Sequence, residues 1–183
     1  MSTRSSILIQ VPDSFLNSTV QYNSEMFKDR EVFIGNWGWG TDVCEDKTQE
    51  IRITKPYLGI YCHSDGYPNG VGKELISNYP NFSSAFNLIL GGDCSFILNR
   101  ELRRYATRSC EDWKYIQPKQ LDEIKTVSSD SEYLYLFEND HWNLITSGYK
   151  IYLYPDIENL EDYVRGYLNG VEDSPLFSSS NII

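Results

Sequence analysis

Short apolar runs rich in β-branched and aromatic residues, each closed by Pro, Gly, Asn or Asp, set the first limit on what this chain can become. Ser6-Ile7-Leu8-Ile9-Gln10-Val11 ends at Pro12-Asp13, and Tyr57 to His63 follows Lys55-Pro56. Tyr133-Leu134-Tyr135-Leu136-Phe137 and Trp142-Asn143-Leu144-Ile145 flank Glu138-Asn139-Asp140-His141, and Lys150 to Tyr154 ends at Pro155. Each run reads as a strand, and the 138–141 segment as a hairpin turn, because Asn and Asp tolerate positive φ. Glu50-Ile51-Arg52-Ile53-Thr54 alternates as a half-buried strand does, and Val32-Phe33-Ile34 predicts another.

Helical spacing is sparser. It predicts helices over Lys73 to Tyr79, over Ser83 to Leu90 with a stop at Gly91-Gly92, and around Lys119 to Ile124. A last helix follows Pro155-Asp156, with Ile157, Leu160, Val164 and Leu168 as its apolar stripe and Asn169-Gly170 as its end. Together these elements predict an α+β fold: a single domain over 1–183 with a mixed or mainly antiparallel sheet and a few helices. Residues 13–50, which include Gly35-Asn36-Trp37-Gly38-Trp39-Gly40, read as an elaboration near the motif end of the sheet, and 178–183 as a loose tail. At 183 residues and 40% hydrophobic composition, one core that removes about 70% of the unfolded chain's surface from water is expected.

Charge narrows the function. Sixteen Lys+Arg against 26 Asp+Glu give −10, which disfavours generic nucleic-acid binding but leaves room for a small anion held by a few convergent groups. Cys44, Cys62, Cys94 and Cys110 are widely spaced, so neither a zinc ribbon nor a disulfide framework is indicated, and no metal or cofactor is expected. No apolar run approaches the roughly 18 residues of a membrane span, and Met1 to Ser5 lacks the apolar stretch of a secretion signal. The expectation is a cytoplasmic protein with no membrane partner. Homo-oligomerisation is left open.

The segment that carries chemistry is His63-Ser64-Asp65-Gly66-Tyr67-Pro68-Asn69-Gly70-Val71-Gly72, between a strand and a helix. Gly66, Gly70 and Gly72 permit sharp turns and close approach to a ligand, and the following helix start is expected to point N–H groups outward at an anion. The pattern is not a Walker A loop, since Gly72-Lys73 lacks the Ser or Thr that follows and the Gly four residues before. His63 is open to two readings, acid–base chemistry oriented by Asp65 or a histidine that ties the loop to the backbone. Asp65 is either a functional carboxylate or a turn residue preceding Gly66, and Tyr67 either stacks on an aromatic ligand or stiffens the loop with Pro68.

Met1-Ser2-Thr3-Arg4-Ser5-Ser6-Ile7 together with Ile60-Tyr61-Cys62-His63-Ser64-Asp65-Gly66-Tyr67-Pro68-Asn69-Gly70-Val71-Gly72 resembles a family of small uncharacterised bacteriophage and prophage proteins. These open with Met-x-Thr-Arg-Ser-Asn-Ile and continue through a short hairpin into Tyr-Cys-His-Trp-Asp-Gly-Tyr-Pro. Here Ser6 replaces the Asn, Ser64 replaces the Trp and removes a large aromatic surface, and about 40 residues stand in place of the short turn. The insertion implies a lid or extra layer. The resemblance implies antiparallel pairing that brings Thr3, Arg4 and Ser5 to the sheet end that carries His63 and Asp65. Arg4 then faces the glycine loop, as an anion clamp or as a structural ion pair with Asp65.

The expected function is a phage-type binding protein for a small anionic, nucleotide-like ligand, which sequesters a host defence signalling nucleotide. Its ligand-binding residues are Thr3, Arg4, Ser5, His63, Asp65, Gly66, Tyr67, Gly70 and Gly72. One alternative is a hydrolase or phosphodiesterase in which His63, Asp65 and Arg4 are catalytic; another is a protein-interaction module. Weaker features are an N-terminal Ser2 nucleophile, stacking by Trp37 and Trp39, and Arg100, Arg103, Arg104 and Arg108, whose spacing suits adjacent helical faces and which either extend the anion site or form a solvated face. His141 belongs to the hairpin turn, and Cys62 and His63 point to opposite strand faces and so form no dyad.

Overall fold

The strand β1 (Ser5–Gln10) lies in the interior of an eight-stranded mixed sheet, flanked by the two segments whose sequences most resemble it in apolar content. On one side it pairs antiparallel with β5 (Tyr57–Cys62), from Ser5 opposite Cys62 to Gln10 opposite Tyr57. On the other it pairs parallel with β8 (Tyr133–Glu138), Ser5 opposite Tyr133. The computed structural model describes residues 3–23, 31–34, 48–98, 101–105, 131–146, 149–156 and 158–169.

The remaining strands are β2 (Thr19–Asn23), β3 (Glu31–Ile34), β4 (Thr48–Arg52), β6 (Cys94–Leu98), β7 (Glu101–Tyr105), β9 (His141–Thr146) and β10 (Tyr149–Tyr152). The large sheet runs β10-β9-β8-β1-β5-β6-β7-β3, and β2 pairs antiparallel with β4 in a separate ribbon. The β8–β9 connection is a two-residue turn with Asn139 at φ 50° and Asp140 at φ 61°, the conformation that the Asn-Asp pair predicts. Between β5 and β6 the register is a single pair, Cys62 opposite Cys94.

Among the described residues, three α-helices lie on one face: α1 (Lys73–Asn78), α2 (Phe82–Leu90) and α3 (Leu160–Leu168). Their buried Leu75, Ile76, Ala85, Leu88, Ile89, Leu160 and Val164 pack with Ile7, Ile9, Leu58, Ile60, Tyr135 and Phe137 in one core. Leu8, Tyr61, Leu134 and Leu136 form a smaller buried cluster, on the opposite sheet face by strand alternation. The α+β class with a mixed sheet is therefore the observed one.

Two sequence expectations fail here. Leu168 does not join the apolar stripe of α3: it is 45% exposed, whereas Leu160 and Val164 are buried. It sits in the last turn, past the reach of the sheet. Arg103 and Arg104 lie on strand β7 and not on a helix, so alternation sends them to opposite faces. The Lys119 to Ile124 helix, Ile157, Ser2, Trp37, Trp39, Arg100, Arg108, Cys44, Cys110 and the 178–183 tail lie outside the described residues.

Candidate functional site

Antiparallel pairing of β1 with β5 puts the residues entering β1 beside those leaving β5. After Cys62, the His63 N–H still bonds the Cys94 carbonyl at 3.1 Å, and then Asp65 takes φ 57° and turns the chain off the strand. That conformation is uncommon for a residue with a Cβ, and Asp is among those that tolerate it. Gly66 comes down on the first strand: its N–H donates to the Thr3 carbonyl at 2.9 Å, and a Cβ there would stand 2.7 Å from the Arg4 carbonyl carbon. A π-helical turn over Pro68–Gly72 then leads into α1.

The loop closes on itself. The Val71 N–H donates to the Asp65 carbonyl at 2.8 Å, and the N–H groups of Gly70 and Gly72 to the Tyr67 carbonyl at 2.9 and 3.4 Å. At Gly70 a Cβ would fall 2.2 Å from the Asp65 oxygen. Outward-pointing amides were expected here, and these three point inward. The reversal at Asp65 and the Pro-led turn bring carbonyls 65 and 67 over amides 70 to 72, so the glycines serve contacts within the protein.

Three anchors absent from the sequence reading hold this loop. The Tyr135 hydroxyl, fully buried, donates to the Gly66 carbonyl at 2.9 Å. Burial pushes its pKa well above the ordinary tyrosine value, with further upward pressure from Tyr133 and Glu161. The Asn69 side chain donates to Asn159 at 2.8 Å and accepts from the Glu161 N–H at 3.1 Å, which ties the loop to the start of α3. Gly72 lies under Leu160 and Tyr135.

The nine expected binding residues thus divide into two groups. Ser5, Gly66, Gly70 and Gly72 are buried; they shape the corner from beneath, and Ser5, at 0% exposure, presents no side chain to a ligand. Thr3, Arg4, His63, Asp65 and Tyr67 are partly exposed and make up its accessible surface. Arg4 is held through its carbonyl, which accepts the N–H groups of Glu132 at 2.9 Å and Tyr133 at 3.4 Å.

His63 and Asp65 do not form the expected pair. One neighbour of the imidazole is Tyr61, whose hydroxyl is 3.5 Å from Nδ1 and whose ring meets it edge-on at 5.9 Å between centroids. Among the described residues nothing donates to the Asp65 carboxylate or pairs with it, Arg4 included. The strand ends before residue 63, so the two-residue alternation that would align the side chains is lost.

The two described members of the basic cluster, Arg103 and Arg104, do not extend the site. Arg104 is 1% exposed, donates from Nη1 to the Gly92 carbonyl at 2.9 Å and lies 5.7 Å from the Tyr22 ring centroid. Arg103 points outward to Glu101, with Nε to Oε1 at 2.9 Å. Cys62 and Cys94 are buried free thiols, and burial first, then the neighbouring Cys62, pushes the Cys94 pKa well up, which keeps that thiol protonated and unreactive. His141 sits at the hairpin turn with Nδ1 2.6 Å from the Asn139 carbonyl. Among the described residues no three His, Cys, Asp or Glu side chains converge as a metal site requires, and no helix is long and apolar enough to cross a membrane.

Comparison with known proteins leaves the reading to this geometry: no family model, no curated protein and no solved structure matches the chain.

Proposed function

We propose that the chain is a binding protein for a small anionic, nucleotide-like ligand, held at the corner where Thr3 and Arg4 meet His63, Asp65 and Tyr67. The observation that carries this reading is the Gly66 N–H to Thr3 carbonyl bond of 2.9 Å, because it seats the Arg4 backbone directly against the loop. A guanidinium there supplies charge and fork-shaped donors for phosphate or carboxylate, and Tyr67 and His63 supply rings for a base. With the loop amides engaged internally, side chains carry the recognition.

Binding is preferred over hydrolysis because Asp65, the carboxylate that would orient His63 for proton transfer, makes no bond to it. The ligand of this reading is a signalling nucleotide of the host, sequestered intact. Incubation with a panel of cyclic and linear nucleotides, followed by denaturation and analysis of the released molecule, tests this. Unchanged nucleotide supports sequestration, and new products support the phosphodiesterase reading.

The inward amides favour a second reading, a protein-interaction module in which the loop is structural. Absence of a thermal shift with every nucleotide, together with recovery of a stable protein complex, selects it.

A further inference from the structure

The far end of β1 carries a feature that the corner does not use. A cleft of about 360 Å³ opens between the exit of β1, the start of α2 and the β8–β9 turn. Its volume lies at the lower end of the roughly 300–1,000 Å³ typical of small-molecule sites. Ser5 and Gln10 bound β1, so at about 3.3 Å per residue the cleft stands about 17 Å from the strand end that leads into the corner.

Its floor is apolar. Val11 and Phe137 are each 2% exposed, and Phe82 is partly exposed at the first turn of α2. The Phe82 ring is fixed in place by stacking on Phe86 at 5.2 Å and by an edge contact with Phe15 at 5.7 Å. The rim is anionic: Asp13, Glu138 and Asp140 line it, and among the described residues that line it none is basic. Glu138 is already paired with Lys150. Asp13 and Asp140 are exposed, and among the described residues neither carboxylate forms a hydrogen bond or ion pair. The tight turn at Asn139 and Asp140 presents the second of these carboxylates from a short, defined backbone.

We propose that this cleft binds a small organic cation, an ammonium or guanidinium group on a short apolar or aromatic body. The cationic end meets Asp13 and Asp140, and the body lies on Phe82 over Val11 and Phe137. The two features select together: Asp13 and Asp140, which have no ion-pair partner among the described residues, reject the anion that the corner takes, and an apolar floor offers nothing to a hydrated metal ion, which needs six or more oxygen ligands. The carboxylates distinguish a cation from its neutral analogue, and the Phe82 ring takes the apolar body of either. The proposal is independent of the anion site.

Phenethylamine is the probe, with phenethyl alcohol as its uncharged counterpart, titrated into the full chain at fixed ionic strength and followed by amide NMR shifts. The amine is expected to shift Phe82, Asn139 and Asp140 at saturating concentration and to bind at least about tenfold more tightly than the alcohol. The double variant Asp13→Asn/Asp140→Asn, which keeps a residue type suited to positive φ at 140, is expected to remove that difference; Phe82→Leu is expected to weaken the amine severalfold with the charges intact. Arg4→Ala leaves amine binding unchanged. Equal binding of amine and alcohol, shifts scattered over the acidic surface, or undiminished binding by the double variant overturns the proposal.

Discussion

The hydroxyl of Tyr135 reaches the carbonyl of Gly66 at 2.9 Å across 69 residues of sequence, and this bond fastens the loop at 63–72 to the central sheet from below. Tyr135→Phe keeps the ring and removes the donor, which leaves a buried carbonyl without its partner. The expected cost is about 1–3 kcal/mol. Denaturant unfolding measures it, and amide exchange at Gly66 and Val71 is expected to accelerate. A variant as stable as the parent, with unchanged exchange, would show that the bond contributes nothing.

Gly70 and Gly166 make opposite predictions for the same substitution. At Gly70 an added Cβ would meet the Asp65 oxygen at 2.2 Å, and at Gly166, within α3, it would meet nothing within 4 Å. Gly70→Ala is therefore expected to destabilise by about 1–3 kcal/mol through forced backbone movement. Gly166→Ala is expected to stabilise by about 0.5–1 kcal/mol, the helix preference of Ala over Gly. Paired melts of the two variants read both signs at once.

Arg4 is the positive charge of the proposed anion site. Arg4→Ala is expected to weaken a bound nucleotide by about 1.5–3 kcal/mol, the scale of a charge-assisted hydrogen bond, in titration calorimetry of the folded variant. An unaltered affinity rejects the clamp.

Stability is expected to fall at high pH. Burial, with Tyr154 and Tyr167 nearby, pushes the Tyr163 pKa up to about 12, and Tyr133 and Tyr135 are shifted in the same direction. A folded pKa above the unfolded value means that the unfolded chain releases its proton first. This contribution is complete below about pH 10, where an unfolded tyrosine ionises, and it is lost as pH rises toward about 12. Urea midpoints across that window, with tyrosinate absorbance as the titration signal, test the sign; a flat profile contradicts it.

What was legible in the chain follows from short-range rules. The strand runs, the Asn139-Asp140 turn and the helices over 73–78 and 82–90 depend on periodicity and turn chemistry within a few residues. The same rules misread Leu168, because spacing assigns a helix face but not the point where that face runs out of sheet. They misread Arg104 because a charged residue on a buried strand position looks like surface, and its partner, the Gly92 carbonyl, is invisible in local pattern. Glycine content located the loop at 63–72 correctly and left open which atoms approach it; those atoms belong to Arg4 and Asp65. Tyr135 and Asn159 carry no motif, and only the assembled fold brings them to the loop.

Asn69 grips the start of α3 while Gly66 grips Thr3, so the two extremes of the described chain are fastened through one short segment. Contacts of such long sequence separation are entropically slow to form. The β1–β8 pairing beside this corner, Ser5 opposite Tyr133, spans still more of the chain, so competence to recognise a partner there waits on the same distant closures that assemble the sheet.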